Sequence, residues 1–245
     1  MAFKDLIEKI RNIFVKSVYN PNWRCLACGE EIFGEQKFCQ KCLDKLPLND
    51  GYICAHCGRK VIAPEEYCST CKGILTSVDK ARSFFVYDEP ISTMIKGFKY
   101  NNKQYLSEYF ASCLSKIYVS NFFRADCLVF VPMTKKAERK RGYNQSRLLC
   151  ESLSKIVKVP VLDCLEKVEE TKRQATLTRN ERLKNLQKAF KVKDKSKVKD
   201  KILVLVDDVS TTGATSQIIA ERLKKAGAKK VYLITVASTP PFEKY

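Results

Sequence analysis

Apolar and polar positions along residues 81–245 follow two alternating periods, one typical of strands and one typical of helices. Residues 201–206 form a continuous aliphatic run, which is typical of a central parallel strand buried on both faces. Residues 215–227 carry their apolar side chains on one helical stripe and end at a glycine, a common helix stop. The whole pattern predicts strands over 82–87, 127–132, 160–165, 201–206 and 230–238, and helices over 103–119, 145–156 and 215–227.

Alternation of strands and helices predicts an α/β fold: a doubly wound, mostly parallel sheet with helices on both faces. We assign residues 79–245 to this domain and residues 21–78 to a separate cysteine-rich module. Residues 1–20 have apolar positions at helical spacing and predict an amphipathic helix. We expect this helix to dock on the protein's own core, with a membrane surface or a partner protein as the alternatives.

The N-terminal segment also bears on location. Charged residues interrupt the first 20 positions, so they lack the apolar core of a secretory signal. No stretch of the chain approaches the roughly 18 uninterrupted apolar residues of a membrane span. The sequence therefore predicts a cytoplasmic protein without a membrane span.

Eight cysteines between residues 21 and 78 form four Cys-x2-Cys pairs, arranged as two copies of one pattern displaced by 29 residues. A two-residue gap lets both thiolates point at one metal ion, and two such pairs complete a tetrahedral shell. The spacing predicts two structural Zn²⁺ ions in a double zinc ribbon, whose ligands are Cys25, Cys28, Cys39, Cys42, Cys54, Cys57, Cys68 and Cys71.

The ligand pairing of the two ions is open between a sequential and an interleaved arrangement. We favour one ion per repeat, because the shorter loops close at a lower entropic cost. His56 lies inside the second repeat, where four cysteines already fill a shell, so we expect an exposed ring that is not a ligand. The remaining four cysteines lack pair spacing and are interpreted as small apolar residues: Cys113, Cys127, Cys150 and Cys164.

The net charge of +18 is distributed unevenly along the chain. Residues 1–80 hold 12 basic and 10 acidic residues, whereas residues 81–245 hold 33 basic and 17 acidic residues. A solvated lysine-rich surface accounts for part of this excess. The rest favours a polyanionic ligand, either a phosphorylated metabolite or nucleic acid, on the larger domain.

Residues 202–217, "ILVLVDDVSTTGATSQ", place two aspartates between a predicted strand and a predicted helix, where open α/β sheets bind ligands. Backbone amides and the positive end of the helix dipole can hold a phosphate there, and Gly213 permits a close approach. Asp207 and Asp208 are acceptors, so they should meet hydroxyl groups or a cation. A ribose 5-phosphate satisfies both halves. The stretch is neither a Gly-x4-Gly-Lys-Ser/Thr loop nor a Gly-x-Gly-x2-Gly turn, which argues against an NTPase or a dinucleotide dehydrogenase.

The segment "VLVDDVSTTGAT" is similar to the phosphoribosyl pyrophosphate signature of type I phosphoribosyltransferases. The chain resembles the ComF family over about residues 20–240: a double zinc ribbon fused to such a domain. Two further segments carry this resemblance, "VPMTKKAERKRGYNQS" at 131–146 and "RQATLTRNERLKNLQKAF" at 173–190.

The resemblance implies a role for each matching position. Asp207 and Asp208 would hold the ribose hydroxyls, directly or through Mg²⁺, and the residues after them would hold the 5-phosphate. The implied donor-binding set is Asp207, Asp208, Val209, Ser210, Thr211, Thr212, Gly213, Ala214 and Thr215. The implied pyrophosphate loop and mobile lid contain Pro132, Met133, Thr134, Arg139, Arg141, Gln174, Arg179 and Arg182.

Residues 134–147 carry six basic residues against one acidic residue, more than a pyrophosphate requires. This excess suggests a second polyanion, and the candidate nucleic-acid contacts are Lys135, Lys136, Lys140, Tyr143 and Arg147. Tyr143 either stacks on a base or packs against the protein. ComF relatives are associated with natural competence, so the resemblance implies single-stranded DNA and helicase-like competence-machinery proteins as partners.

Two functions remain open at this point. The favoured one is a phosphoribosyltransferase-fold competence protein that binds phosphoribosyl pyrophosphate with Mg²⁺ and also binds single-stranded DNA. The alternative is an active phosphoribosyltransferase of nucleotide metabolism or salvage with no DNA role. Its mechanism would pass through an oxocarbenium-like state at C1 with pyrophosphate leaving, although no Asp, Glu or His stands out as a base for the acceptor.

Overall fold

The computed structural model describes residues 24–34, 36–61, 64, 66–72, 76–121, 123–168 and 188–240. The predicted N-terminal helix over 1–20 and the implied lid residues Gln174, Arg179 and Arg182 lie outside these ranges. The chain divides into two compact units between Leu46 and Pro47. This division falls between the two cysteine repeats, whereas the sequence pattern placed the boundary between the cysteine-rich module and the α/β domain at residues 78 and 79. None of the helices in the described ranges is both long enough and apolar enough to span a membrane.

The first unit is built around the first cysteine repeat. Helix α1 (Gln40–Leu43) begins directly after Cys39, and a single antiparallel bridge joins Arg24 to Glu31. Cys25, Ile32 and Phe38 are buried. This small apolar content is typical of a module that needs a metal ion to hold its fold.

The second unit contains a sheet of four parallel strands in the order β1-β6-β5-β2. The strands are β1 (Lys80–Val86), β2 (Cys127–Phe130), β5 (Ile202–Ser210) and β6 (Lys230–Ser238). A parallel bridge from Leu128 to Val161 adds one residue pair beyond β2, where the sequence predicted a full strand over 160–165. The short strands β3 (Leu165–Lys167) and β4 (Phe190–Val192) form a separate antiparallel pair.

The described residues of the second unit form five helices beside the sheet. They are α2 (Ile91–Tyr100), α3 (Leu106–Ser120), α4 (Lys135–Arg141), α5 (Gln145–Val157) and α6 (Ala214–Lys225). Helices α3, α5 and α6 match the three predicted helices, whereas α2 and α4 were not predicted. Helix α4 spans seven residues and buries none of its side chains, which removes the apolar periodicity that would have indicated it.

Burial along β5 shows that both faces of the sheet are covered. Leu203 and Leu205 pack in one cluster with Ile219 and Leu223 of α6, while Val204 and Val206 point to the opposite face and are equally buried. Helices α3 and α5 cover that second face. The predicted doubly wound α/β fold with a parallel sheet is therefore confirmed, and its carboxyl edge is the place to look for ligands.

Candidate functional site

A cleft of about 870 Å³ lies at the carboxyl ends of β2 and β5. Its size falls within the range of small-molecule binding sites. The cleft brings together two segments that the sequence assigned to one ligand, the acidic pair and the loop after β2. Its walls are formed by Tyr87, Lys96, Lys99, Tyr100, Val131, Pro132, Met133, Thr134, Ala137, Arg141, Gln145, Lys167, Asp207, Asp208, Val209 and Thr211.

Asp207 lies within β5, which continues to Ser210, four residues beyond the end at residue 206 that the aliphatic run had suggested. Its Oδ1 accepts a hydrogen bond from Ser146 Oγ at 2.7 Å and another from the backbone amide of Asp208 at 2.9 Å. Burial, followed by the neighbouring charge of Asp208, raises the pKa of Asp207 to about 7. The carboxyl group therefore changes its charge close to neutral pH.

Asp208 points to the other side of the strand and meets Lys99 at the end of α2. Lys99 Nζ lies 2.8 Å from Asp208 Oδ1, and Asp208 is only 3% exposed. Burial alone would lower the pKa of Lys99, but Asp208 and then Asp207 hold that pKa above its usual value. Within the described part of the chain, Asp208 Oδ2 is buried without a hydrogen-bond partner. An orphaned carboxylate oxygen of this kind fits a hydroxyl group or an oxygen-seeking cation such as Mg²⁺.

Lys99 is a site residue that the sequence reasoning missed. The signal was present, because Ile91, Met94, Ile95 and Phe98 have helical spacing and all four are buried in α2. That spacing would have placed Lys99 at the last turn of a helix that packs on the sheet.

The loop between β5 and α6 presents backbone amides that could bind an anion. Gly213 caps α6 with a φ of 77°, in the left-handed region that favours glycine. Ser216 Oγ donates to the Gly213 carbonyl at 2.9 Å, which fixes the first turn of the helix. Among the described residues, the backbone amides of Thr212, Gly213 and Thr215 have no hydrogen-bond acceptor. A small cavity lies against them and is lined by Asp207, Val209, Ser210, Thr211, Thr212, Gly213, Ala214, Thr215, Ser216, Leu233 and Thr235.

The loop after β2 forms the facing wall of the cleft. Thr134 accepts a hydrogen bond from the amide of Ala137 at 3.2 Å and so caps α4. Arg141, at the end of α4, donates to the Gln145 side chain and lies 5.0 Å from the ring of Tyr100. Of the two arginines assigned to this region, Arg141 lines the cleft and Arg139 points into solvent.

The candidate nucleic-acid residues occupy different environments. Lys135, Lys136 and Lys140 are exposed on α4. Arg147 instead pairs with Asp163 at 2.8 Å and with Glu151 at 3.4 Å. Tyr143 donates its hydroxyl to the Phe98 carbonyl, and its ring lies 5.9 Å from the Phe98 ring, so the residue is packed against the protein.

The eight paired cysteines form two groups, one per repeat, and the ligand atoms in each group lie within 4.8 Å of one another. Four thiolates at this separation suit one tetrahedral Zn²⁺ ion, so the sequential pairing describes the structure. His56 is not among the converging groups. Its ring is half-buried and not exposed as expected, because Nε2 makes a hydrogen bond of 2.7 Å with the Val78 carbonyl. Cys113, Cys127, Cys150 and Cys164 are buried.

Comparison with known families finds two matches along the chain. Residues 14–72 match the double zinc ribbon domain, and residues 144–242 match the phosphoribosyl transferase domain. Competence protein F of Haemophilus influenzae is 30% identical over 215 residues, which cover 84% of this chain and 81% of that protein. The DNA utilization protein YhgH of Escherichia coli K12 is 32% identical over 168 residues, which cover 62% and 69% of the two chains.

Among solved structures, the glutamine phosphoribosylpyrophosphate amidotransferase of B. subtilis, complexed with ADP and GMP, is similar with a TM-score of 0.42 and 18% identity. The alignment covers 58% of this chain and 30% of that one.

Proposed function

Because the chain belongs to the competence protein F (ComF) family, we propose that it binds phosphoribosyl pyrophosphate with Mg²⁺ in the cleft and single-stranded DNA beside it. The relatives named for competence and for DNA utilization support a role in the uptake and use of DNA. The two zinc ions are structural in this proposal, since each tetrad uses four protein ligands and leaves no open position.

One observation carries the proposal: an acidic pair, a loop with unpaired amides and a basic helix end converge on one edge of the sheet. The amides of Thr212, Gly213 and Thr215 suit the 5-phosphate, and the carboxylates of Asp207 and Asp208 suit the ribose hydroxyls. Mg²⁺ prefers oxygen ligands, which Asp208 and the pyrophosphate both offer. Arg141 and Lys99 add positive charge in the wall that the pyrophosphate would face.

The DNA-binding surface in this proposal is the outer face of α4. Ala137 and Arg141 line the cleft, so the remaining basic side chains of the same helix, Lys135, Lys136, Arg139 and Lys140, lie at the cleft's rim. Exposed cations on one short helix suit the phosphates of a flexible single strand, and such binding weakens steeply with salt.

Calorimetry tests the sugar-phosphate half. We expect phosphoribosyl pyrophosphate to bind in the presence of Mg²⁺ and to bind far more weakly in EDTA. The double variant Asp207→Asn, Asp208→Asn should lose binding because its amides cannot replace the carboxylates as cation ligands. Unchanged affinity in that variant would show that phosphoribosyl pyrophosphate does not bind in this cleft.

A charge-matched comparison tests the DNA half. We expect Lys135→Ala with Lys140→Ala to weaken binding of a fluorescent single-stranded oligonucleotide and to reduce the slope of log affinity against log salt by about 2. The control is Lys155→Ala with Lys229→Ala, which removes the same charge at the opposite end of the sheet. Lys155 lies in the last turn of α5, and Lys229 directly precedes β6. Equal effects from both pairs would mean that binding depends on net charge and not on α4.

Turnover is the alternative, and the size of the cleft favours it. Ligand sites commonly span about 300–1,000 Å³, so 870 Å³ leaves room for an acceptor beside the sugar phosphate. Pyrophosphate release in the presence of bases, nucleotides or DNA would establish a transferase. Binding without release under all of these conditions would indicate a protein that binds the sugar phosphate without catalysis.

A further inference from the structure

Arg59 is buried, and no ion pair with another described residue accounts for its burial. In the described part of the chain, two charged residues are less than 5% exposed, Arg59 and Asp208. Arg59 follows the second ligand of the second zinc tetrad, Cys57, yet its Nη2 donates a hydrogen bond to the backbone carbonyl of Thr211, 152 residues away. The second ribbon thus contacts the loop that we assign to the 5-phosphate.

The cysteine repeat itself shows that this arginine is not part of the zinc-binding pattern. Glu30 occupies the equivalent place in the first repeat, with the opposite charge, and it is exposed. The backbone is the same in both copies: the amide of Cys25 bonds to the Glu30 carbonyl at 2.8 Å, and that of Cys54 to the Arg59 carbonyl at 2.9 Å. The side chain at this position is therefore free to vary, and its identity in the second repeat belongs to the contact with Thr211.

Hydrogen bonds to β1 also fix the position of the second ribbon, and therefore that of Arg59. The amide of Ala81 in β1 bonds to the His56 carbonyl at 2.8 Å, and Arg82 Nη1 donates to the Ala55 carbonyl at 3.0 Å. A separate connection runs from the amide of Ser77 to the side chain of Gln217 at 2.9 Å, and from the amide of Gln217 to the Gly213 carbonyl at 2.9 Å. Both ends of the phosphate loop are thus tied to the ribbon or to the segment that follows it.

A trans peptide points its carbonyl and the next amide in opposite directions. When Arg59 holds the Thr211 carbonyl, it also directs the amide of Thr212 away from the ribbon. Thr212 lines the small cavity at the loop, and its amide has no acceptor among the described residues. The guanidinium adds a positive charge behind the loop, where it favours an anion in front of it.

We propose that Arg59 is a positioning residue for the phosphate loop, so that Zn²⁺ at the second tetrad and a sugar phosphate at the loop stabilise each other's binding. This inference rests on the proposed phosphoribosyl pyrophosphate site. In this coupling, zinc fixes the Cys54–Cys57 turn and the turn fixes Arg59. Arg59 then holds the Thr211 carbonyl, which also accepts a hydrogen bond from Thr239 Oγ1 at 3.2 Å, and so orients the peptide that faces the phosphate. Such a coupling is reciprocal: whatever zinc does to the affinity for the sugar phosphate, the sugar phosphate does to the affinity for zinc.

The first test compares full-length variants by calorimetry and by elemental analysis of zinc. Arg59→Gln should keep two zinc ions per chain and bind phosphoribosyl pyrophosphate with Mg²⁺ about 10-fold more weakly. Arg59→Lys should recover only part of this loss, because an ammonium lacks the planar donor fork. Glu30→Gln is the matched control at the equivalent repeat position and should bind as the wild type does.

The second test needs no substitution at Arg59. Zinc release to a chromogenic chelator is followed with and without phosphoribosyl pyrophosphate and Mg²⁺, in the wild type, in Cys42→Ser and in Cys71→Ser. We expect the ligand to slow the release of one of the two ions, and this protection should persist in Cys42→Ser and vanish in Cys71→Ser. A wild type that does not bind the ligand would overturn the proposed function. A wild type that binds it, with unprotected zinc and unchanged affinity in Arg59→Gln, would overturn the coupling alone.

Discussion

Lys99 Nζ lies 2.8 Å from Asp208 Oδ1, and both residues line the cleft. The partner oxygen of the same carboxylate has no hydrogen bond in the described residues. One oxygen of the Asp208 carboxylate is therefore paired within the protein, and the other is open to a ligand. A cation that binds there would share the carboxylate with Lys99 or displace it.

Replacing Lys99 with methionine should destabilise the protein and make it responsive to Mg²⁺. Removing one partner of a buried ion pair costs roughly 3–5 kcal/mol because the other charge is left uncompensated. We expect a lower melting temperature for Lys99→Met, and a larger recovery on adding Mg²⁺ than the wild type shows. Lys96→Met is the control, since Lys96 also lines the cleft but is exposed. Equal magnesium responses in both variants would argue against a cation site at Asp208.

Affinity for phosphoribosyl pyrophosphate and Mg²⁺ should increase as the pH rises through about 7. The pKa of Asp207 is raised to about 7 by burial and then by Asp208, so below that pH the group is protonated and is a poor cation ligand. The contribution of Asp207 to folding stability changes with pH in the opposite direction. It is fully present below the pKa of about 4 that this carboxyl has in the unfolded chain, and it is lost as the pH rises through 7. Calorimetry from pH 6 to 8 measures the first effect, and Asp207→Asn should flatten the profile.

Ser146→Ala should move that pH profile upward. The hydroxyl donates to Asp207 at 2.7 Å and favours the charged form, so its removal should raise the pKa of Asp207 further. Ser154→Ala lies on the same helix but its hydroxyl donates to the Val159 carbonyl, far from the carboxylate, and serves as the control. A lower pH midpoint in Ser146→Ala than in the wild type would contradict the role of this hydrogen bond.

Two equivalent glycines should respond differently to alanine. Gly29 and Gly58 follow the second cysteine of each repeat and have φ values of 78° and 67°. An added Cβ meets no atom within 4 Å at Gly29, but at Gly58 it would lie 2.5 Å from the Ala81 carbonyl oxygen. Both substitutions carry the left-handed strain of about 1–2 kcal/mol, and Gly58→Ala adds an overpacking cost of roughly 1–3 kcal/mol. Thermal unfolding at saturating zinc measures the difference, and similar losses at both positions would contradict this close packing.

The sheet and the acidic loop could be predicted from sequence because their signals are local. The aliphatic run of β5 and the stripe of α6 flank the aspartates directly. The strand's true end at Ser210 could not be predicted, since it depends on pairing with Ser238 of β6 and not on propensity, which is low for aspartate in strands. Arg59 gave no periodic signal at all. Its contact lies 152 residues away, and only the comparison with Glu30 in the other repeat singles it out.

The ladder between β5 and β6 continues past both aspartates, from Asp207 opposite Thr235 to Ser210 opposite Ser238. The backbone of the acidic pair is consequently ordered during folding, before any ligand arrives. Ordering one residue costs about 1–2 kcal/mol of conformational entropy, and a ligand that meets a preorganised strand does not bear that cost. Association at this edge should therefore be limited by diffusion and desolvation, with no slow rearrangement of the residues that carry the carboxylates.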